Sequence, residues 1–260
     1  MQILRIDSST TGDQSISRKL TDELLSHFTA KHPDAEVVTR DLVAEPLPHI
    51  DPITTSAIRT PPETHEEAVA AAYPEQRAVL DEFLASDVVI VGAPMYNFTI
   101  PSQLKAWLDR LGVPGVTFKY SENGPEGLAG GRKVVIASAR GGEYSTDQLA
   151  ENQESLLTTF FGFIGVDDLH SVRVEKAGFG PEPIEHGMNA AKRARLAQSR
   201  FVQPDNPTSI SISSTLTAQK DGIPESIRCT VTEDASGNRS FKSNKRRRPQ
   251  TLISRVSGPV

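Results

Sequence analysis

The chain has 260 residues, of which 37% are hydrophobic, and a formal net charge of −5, values ordinary for a globular protein of one large or two small domains. No stretch approaches the roughly 20 apolar residues of a membrane span. The single cysteine, Cys229, excludes an internal disulfide framework and a cysteine-based metal cluster. The N-terminus enters a strand-like pattern without a basic and apolar leader, so we expect a cytoplasmic protein with no membrane segment.

Composition changes near residue 201. Residues 201–260 hold nine Lys or Arg and five Asp or Glu, a charge of +4, which leaves −9 for residues 1–200. The later segment is rich in Ser, Thr and Pro and poor in large apolar side chains, a composition typical of disorder. We therefore expect a folded domain over residues 1–200 and a flexible, polar and basic extension over residues 201–260, disordered or forming a marginal hairpin at 226–243.

The first 200 residues alternate between strand patterns and helix patterns. Strands are predicted at 3–8, 35–42, 87–94, 133–138 and 168–177. Helices are predicted at 15–32, from the Pro-rich connection 45–62 to about residue 84, from Pro101 to Leu111, around 147–161, and at 183–200. The strand at 87–94 is almost continuously apolar, which indicates burial on both faces. The fold class predicted is α/β, with an open, doubly wound, five-stranded parallel sheet.

Three loops follow the carboxyl ends of predicted strands, where such sheets bind ligands. The loop at 8–17 is rich in hydroxyl groups and runs into a helix N-terminus, an arrangement suited to a phosphate. The loop at 95–98 carries aromatic side chains, and the loop at 139–142 carries two glycines that permit close approach of a ligand. Each loop alone also fits an ordinary turn or packing of loop aromatics. Together they suit a phosphorylated planar cofactor.

Four motifs in order carry a family resemblance. They are "APMYNFTIPSQLKAWLDRL" (93–111), "GVTFKYSENGPEGL" (115–128), "ARGG" (139–142) and "TFFGFIGV" (159–166). With these motifs, residues 2–199 resemble the FMN-dependent NADH azoreductases, also described as NADH:quinone oxidoreductases, of flavodoxin-like fold. The resemblance implies a flavodoxin-like fold, bound FMN, NADH as electron donor and a homodimer.

The resemblance also implies site residues. Those matching the phosphate site are Ser9, Ser15, Ile16 and Ser17; those along the flavin ring are Met95, Tyr96, Asn97 and Phe98; those at its pyrimidine edge are Ala139, Arg140, Gly141 and Gly142. Ala139 departs from the serine usual in the family, although Ser138 precedes it. Tyr120 and Phe163 match aromatics near the substrate mouth, Phe163 reaching across the dimer, and Arg59 matches an arginine that favours the nicotinamide substrate. For these last three, packing or a solvated surface is the alternative.

The function implied is two-electron reduction of quinones and reductive cleavage of aromatic azo compounds by NADH, with ping-pong kinetics. We expect no catalytic side chain, because hydride chemistry belongs to the flavin. A flavodoxin-type electron carrier acting with a protein partner is the alternative. A third hypothesis is a regulatory module that recruits nucleic acid through "KRRRP" (245–249), but a short basic run in such a tail is typically only solvated. The histidines lack metal-ligand spacing, so no metal site is expected.

Overall fold

The computed structural model describes residues 1–122, 124–144, 150–198, 211–220, 223–233 and 239–245. The chain divides into two compact units, Met1–Arg200 and Phe201–Val260. In the described part of the chain, no helix is long and apolar enough to cross a membrane.

The first unit is built on a five-stranded parallel sheet. Its strands in chain order, with a separate hairpin, are β1 (Gln2–Asp7), β2 (Glu36–Asp41), β3 (Val88–Pro94), β4 (Phe118–Ser121), β5 (Gly124–Gly127), β6 (Lys133–Ala139) and β7 (Asp168–Val174). The sheet has the order β2-β1-β3-β6-β7, and β4 and β5 pair with each other. All seven residues of β3 are buried, so the predicted parallel sheet with a central strand buried on both faces is confirmed.

The described part of this unit has six helices, of which five pack on the two faces of the sheet and the second packs against the third. They are α1 (Ile16–Lys31), α2 (Pro52–Arg59), α3 (Glu67–Ala85), α4 (Ser102–Leu111), α5 (Glu154–Phe163) and α6 (Pro181–Gln198). Leu20 and Leu24 of α1 belong to one core cluster, against which Met188 of α6 packs. Phe83 of α3, Trp107 of α4 and Phe161 of α5 belong to the other. The doubly wound arrangement is therefore confirmed.

Three elements differ from the prediction. The Pro-rich connection contains α2, which begins with Pro52 in its first turn and is capped by Asp51, whose carboxylate accepts a hydrogen bond from the Thr54 N–H at 2.7 Å. The helix predicted around 147–161 was wrong at its start, since α5 begins at Glu154 rather than near residue 147. The hairpin of β4 and β5 was missed, because Gly and Pro in its second strand argue against a strand.

The second unit contains three strands, β8 (Ser211–Lys220), β9 (Ile223–Glu233) and β10 (Arg239–Lys245). They pair antiparallel in the order β10-β9-β8. The hairpin expected at 226–243 overlaps β9 and β10. The disorder expected for the rest of 201–260 falls largely on residues outside those described.

Candidate functional site

The structure brings the three predicted loops together at one edge of the sheet. They follow β1, β3 and β6, which are neighbours in the sheet order. The backbone N–H of Met95 donates to the carbonyl oxygen of Ala139 at 2.8 Å, and the N–H of Thr10 donates to the hydroxyl oxygen of Tyr96 at 3.0 Å. Each loop is thus joined to the loop beside it.

The first loop ends in a hydroxyl-lined start of α1. Ser15 is the N-cap, and its Oγ accepts a hydrogen bond from the Arg18 N–H at 3.1 Å and lies 3.1 Å from Ser17 Oγ. Ser9, Ser15 and Ser17 are all buried. The N–H groups of Ile16 and Ser17 lie in the first helical turn and bond to no described residue. Free N–H groups and hydroxyls at a helix N-terminus are the groups that bind phosphate.

Arg18 and Asp41 fix this loop, and sequence reasoning missed both. The guanidinium of Arg18 forms two hydrogen bonds to the Asp41 carboxylate, at 2.7 and 2.9 Å, and a third to the carbonyl oxygen of Ser9 at 3.0 Å. The hydrogen bonds from Arg18 lower the pKa of Asp41 to about 2. The position of Asp41 at the carboxyl end of a predicted strand was the available signal.

The second loop is a tight turn with two left-handed residues. Asn97 has φ of 48° and Phe98 has φ of 70°, and backbone hydrogen bonds of 2.9 and 3.1 Å join Tyr96 and Thr99 on either side. Left-handed backbone costs about 1–2 kcal/mol per non-glycine residue and is concentrated at functional sites. The N–H groups of Asn97 and Phe98 have no acceptor in the described chain. They are available to a ligand.

Phe98 is the exposed aromatic of this loop. Its side chain is 54% exposed, and its ring meets the edge of Tyr144 at a centroid distance of 6.2 Å. The carbonyl oxygen of Phe98 accepts a hydrogen bond from the Asn152 N–H at 3.1 Å, so the turn is tied to the segment preceding α5. The ring of Phe98 therefore presents an exposed apolar surface beside the free N–H groups of the turn.

The third loop is anchored by Arg140, whose side chain is fully buried. Its guanidinium donates to Glu151 at 2.9 Å, to Glu175 at 3.2 Å and to the side-chain oxygen of Gln153 at 2.9 Å. Glu154 Oε1 lies 2.9 Å from the same guanidinium. All of these partners are side chains of the protein itself. The side chain of Arg140 therefore holds the loop in place and is not directed at a ligand.

In the backbone of the same loop, the carbonyl oxygens of the two glycines are hydrogen-bonded within the protein and their N–H groups are not. The carbonyl oxygens of Gly141 and Gly142 accept from the N–H groups of Gly178 and Lys176, at 3.0 and 2.9 Å. The N–H groups of both glycines are unbonded within the residues described. At the third loop, the groups open to a ligand are therefore these two N–H groups.

Ala139 has no side-chain donor, and Ser138 does not replace it. The Oγ of Ser138 is buried and donates to the Gln153 side-chain oxygen at 3.0 Å. The carbonyl oxygen of Ala139 is already bonded to Met95. A hydroxyl contact usual in the resembling family is therefore missing here.

Three further predicted residues have no hydrogen bond or ring contact to these loops among the described residues. Tyr120 on β4 is 78% exposed, and its ring packs against Phe118 at a centroid distance of 5.7 Å. Phe163 packs against the same Phe118 at 4.6 Å, so the three form one aromatic cluster. Arg59 ends α2 and lines a cavity that shares no lining residue with the three loops.

The loops together offer free backbone donors and one exposed aromatic surface. The donors include the N–H groups of Ile16, Ser17, Asn97, Phe98, Gly141 and Gly142. Those at α1 fit a phosphate, and those of the other two loops fit the polar edge of a flat ring. Over the described ranges, no group of three or more His, Cys, Asp or Glu side chains could hold a metal ion. The arrangement fits a phosphorylated planar cofactor such as FMN.

Comparison with known proteins gives concordant results. Residues 1–198 match a family model described as having a flavodoxin-like fold. The FMN-dependent NADH:quinone oxidoreductase of Sinorhizobium fredii (strain NBRC 101917 / NGR234) is 47% identical over 197 residues, which cover 74% of this chain and 94% of that protein. The FMN-dependent NADH:quinone oxidoreductase of Rhizobium meliloti (strain 1021) is 46% identical over 197 residues, again 74% and 94% of the two chains.

Solved structures agree. The azoreductase of Bacillus anthracis str. Sterne superposes with a TM-score of 0.69 at 29% identity, covering 77% of this chain and 100% of that one. An FMN-dependent NADH-azoreductase from Bacillus anthracis str. Ames Ancestor, solved in complex with FMN, superposes with a TM-score of 0.66 at 25% identity and covers 78% and 99% of the two chains.

Proposed function

We infer that this chain, which belongs to the flavodoxin-like family of FMN-dependent NADH:quinone oxidoreductases, uses NADH to reduce quinones by two electrons and to cleave aromatic azo compounds. The resemblance carried by the four sequence motifs is thereby confirmed at the level of the family. One observation carries the proposal for this chain: free N–H groups lie on three loops that hydrogen bonds join at the carboxyl edge of the sheet.

We propose that the three loops hold FMN. Ser9, Ser15, Ser17 and the start of α1 would bind the phosphate, since hydroxyls and free helix N–H groups are concentrated there. The turn at 95–98 would lie along the ring, and Gly141 and Gly142 would donate to its polar edge. When bound, FMN supplies the redox chemistry, accepting hydride from NADH and passing two electrons to the acceptor.

The chain's own contribution is position and electrostatics. Backbone N–H groups are uncharged and fixed in direction, so they stabilise negative charge without reorganisation. The hydrogen bond between Met95 and Ala139 keeps two of the loops in register. The exposed ring of Phe98 supplies an apolar surface on which a planar substrate can lie. No described side chain is needed as an acid or a base.

We also propose a homodimer. A groove of about 570 Å³ lies between α4 and α5, and Leu108, Phe160 and Phe163 contribute to its lining. The neighbouring Tyr120 leaves 78% of its surface in solvent, and large exposed aromatics are typical of interfaces. Light scattering on the purified chain should give twice the monomer mass of 28.2 kDa. A cytoplasmic location is likewise our proposal, tested by cell fractionation.

The alternative of a one-electron carrier acting with a protein partner is less well supported. The relatives and the azoreductase structures carry the names of enzymes that act on small molecules. Initial rates measured against NADH at several benzoquinone concentrations should give parallel double-reciprocal lines, because two substrates use one site in turn. No turnover of NADH and benzoquinone without added protein would favour the carrier.

The domain boundary is tested by truncation. We propose that residues 1–200 carry FMN binding and turnover and that residues 201–260 are an appendage. A chain ending at residue 200 should retain FMN affinity and benzoquinone turnover. Loss of FMN or of the dimer would instead assign residues 201–260 a role in the fold, and nucleic-acid binding lost on truncation would support the regulatory hypothesis.

A further inference from the structure

The three residues before Glu154, the first residue of α5, are hydrogen-bonded to both of the loops proposed to lie against the flavin ring. Asn152 is bonded to the second loop, because its N–H donates to the carbonyl oxygen of Phe98 at 3.1 Å. Glu151 is bonded to the third loop, because its Oε1 accepts from the guanidinium of Arg140 at 2.9 Å. We call residues 151–153 the bridging segment.

Gln153, the last residue of the bridging segment, joins the two strands from which these loops emerge. It is fully buried. Its Nε2 donates to the carbonyl oxygen of Ala93, near the end of β3, at 2.5 Å. Its Oε1 accepts from Ser138 Oγ at 3.0 Å and from Arg140 Nε at 2.9 Å, at the end of β6. Since Ala93 and Ser138 are register partners in neighbouring strands, one amide spans the two strand ends just before the loops begin.

These contacts require both a donor and an acceptor on the same side chain. The carbonyl oxygen of Ala93 only accepts, and the guanidinium of Arg140 only donates, so the group between them must donate at one atom and accept at another. The carboxamide of Gln153 does both on one planar group. Its loss would leave a buried carbonyl oxygen, hydroxyl group and guanidinium N–H without this partner, which is costly.

Glu151 fixes the place of this amide in the fold. Its Oε1 accepts from the N–H groups of Gln153 and Glu154, at 3.0 and 2.8 Å, and its Oε2 accepts from the N–H of Ser155 at 3.1 Å. A carboxylate is favourable at the N-terminus of a helix, where N–H groups lack intrahelical partners. Gln153 is therefore held by the capped start of α5.

We propose that Gln153 is a positioning residue for the flavin reaction, and this inference rests on the proposed FMN site. By setting the separation of the second and third loops, its amide sets the directions of their free N–H groups. Because reduction adds electron density to the flavin ring, donors held in fixed directions stabilise the reduced cofactor more than the oxidised one. Loss of the amide should therefore make FMN harder to reduce.

The reduction potential of FMN bound to the full-length chain tests the proposal. In Gln153→Met, which keeps the length of the side chain without its polar atoms, the preference for reduced over oxidised FMN should fall about tenfold, which lowers a two-electron potential by about 30 mV. Ser138→Ala is the matched control, since it removes one buried hydrogen bond and leaves Gln153 joined to Ala93 and Arg140. Its potential should stay close to that of the wild type.

Gln153→Asn is a second variant, with an amide too short to reach both strand ends, and it should shift the potential in the same direction. An unchanged potential in Gln153→Met, or equal shifts in Gln153→Met and Ser138→Ala, would contradict the proposal. Failure of both Gln153 variants to fold would assign the residue to the fold alone and would also overturn it.

Hydrogen exchange of the Met95 N–H, followed by NMR in the FMN-free chain, gives a readout that does not depend on the flavin. This N–H donates to the carbonyl oxygen of Ala139 and so joins the two loops. Its exchange should be about tenfold faster in Gln153→Met and unchanged in Ser138→Ala. Unchanged exchange in Gln153→Met would overturn the positioning role, whereas a wild-type chain that binds no FMN would overturn the proposed function instead.

Discussion

The hydroxyl oxygen of Tyr96 accepts a hydrogen bond from the backbone N–H of Thr10, at 3.0 Å and across 86 positions of sequence. The same oxygen lies 3.0 Å from Thr10 Oγ1 and 3.4 Å from Ser9 Oγ. One phenol therefore joins the turn at 95–98 to the loop proposed to bind phosphate. We therefore expect the order of one loop to depend on the order of the other.

Removing this hydroxyl tests the coupling. Tyr96→Phe should weaken FMN binding about 3- to 10-fold, because an intramolecular hydrogen bond contributes about 0.5–1.5 kcal/mol. Quenching of FMN fluorescence on titration into FMN-free protein measures the affinity. Tyr120→Phe, which changes an exposed ring on β4, is the control and should bind FMN as the wild type does. Unchanged affinity in Tyr96→Phe would show that the two loops are ordered independently.

The left-handed turn predicts that one substitution of Asn97 is tolerated and that another is destabilising. Asn97→Gly should keep the turn, since glycine adopts φ of 48° without strain. Asn97→Val should weaken FMN binding and lower the free energy of unfolding by about 1–2 kcal/mol, because a β-branched residue is disfavoured there. Urea denaturation and fluorescence titration give the two quantities. A valine variant indistinguishable from the glycine variant would mean that the turn relaxes at no cost.

Replacing Arg140 should affect stability more than any exposed ion pair. Arg140→Met leaves the carboxylates of Glu151, Glu154 and Glu175 close together without their shared cation, and should lower the free energy of unfolding by about 3–5 kcal/mol. Lys119→Met breaks an exposed pair and should cost at most about 1 kcal/mol. Urea midpoints compare the two. Equal losses would contradict the anchoring role assigned to Arg140.

The ion pair between Arg18 and Asp41 predicts a stability difference that depends on pH. The pKa of Asp41 falls from 3.8 to about 2 on folding, so the charged carboxylate stabilises the fold above pH 3.8 and this contribution is lost as the pH falls towards 2. After a discount for the 30% exposure of the Asp41 side chain, Asp41→Asn should be about 1 kcal/mol less stable at pH 7.

The stability of Asp41→Asn relative to the wild type, measured as a function of pH, tests whether the charge of Asp41 is responsible. Urea midpoints of Asp41→Asn and the wild type should converge below pH 4, with roughly half of the difference gone at pH 3. A difference that stays constant from pH 7 to pH 3 would show that hydrogen-bond geometry rather than charge is lost.

The three central strands of the main sheet, β1, β3 and β6, were predictable because their apolar runs are almost continuous and largely buried. The α2 helix was not, since it has eight residues in a Pro-rich segment and its start depends on the Asp51 cap. The hairpin of β4 and β5 depends on a long-range contact: a Cβ on Gly127 would lie 2.2 Å from the backbone nitrogen of Gly165. No local pattern reports such a contact.

The positions of the three loops of the candidate site were predictable from the sequence, whereas the orientations of their side chains were less so. Its three loops were located from the strand ends and the family motifs, and the structure joins them. The side chain of Arg140 could not be oriented from sequence, because its carboxylate partners lie 11 to 35 positions away. Arg18 and Asp41 were overlooked for a similar reason, since their pairing across 23 positions exists only in the fold.

Anaerobic stopped-flow mixing of the FMN-loaded chain with NADH tests the proposed function most directly. The flavin absorption band should bleach without any added protein and recover fully on a second mixing with one equivalent of benzoquinone, which accepts two electrons. A flavin that stays oxidised with excess NADH until a partner reductase is added would contradict the proposed enzyme.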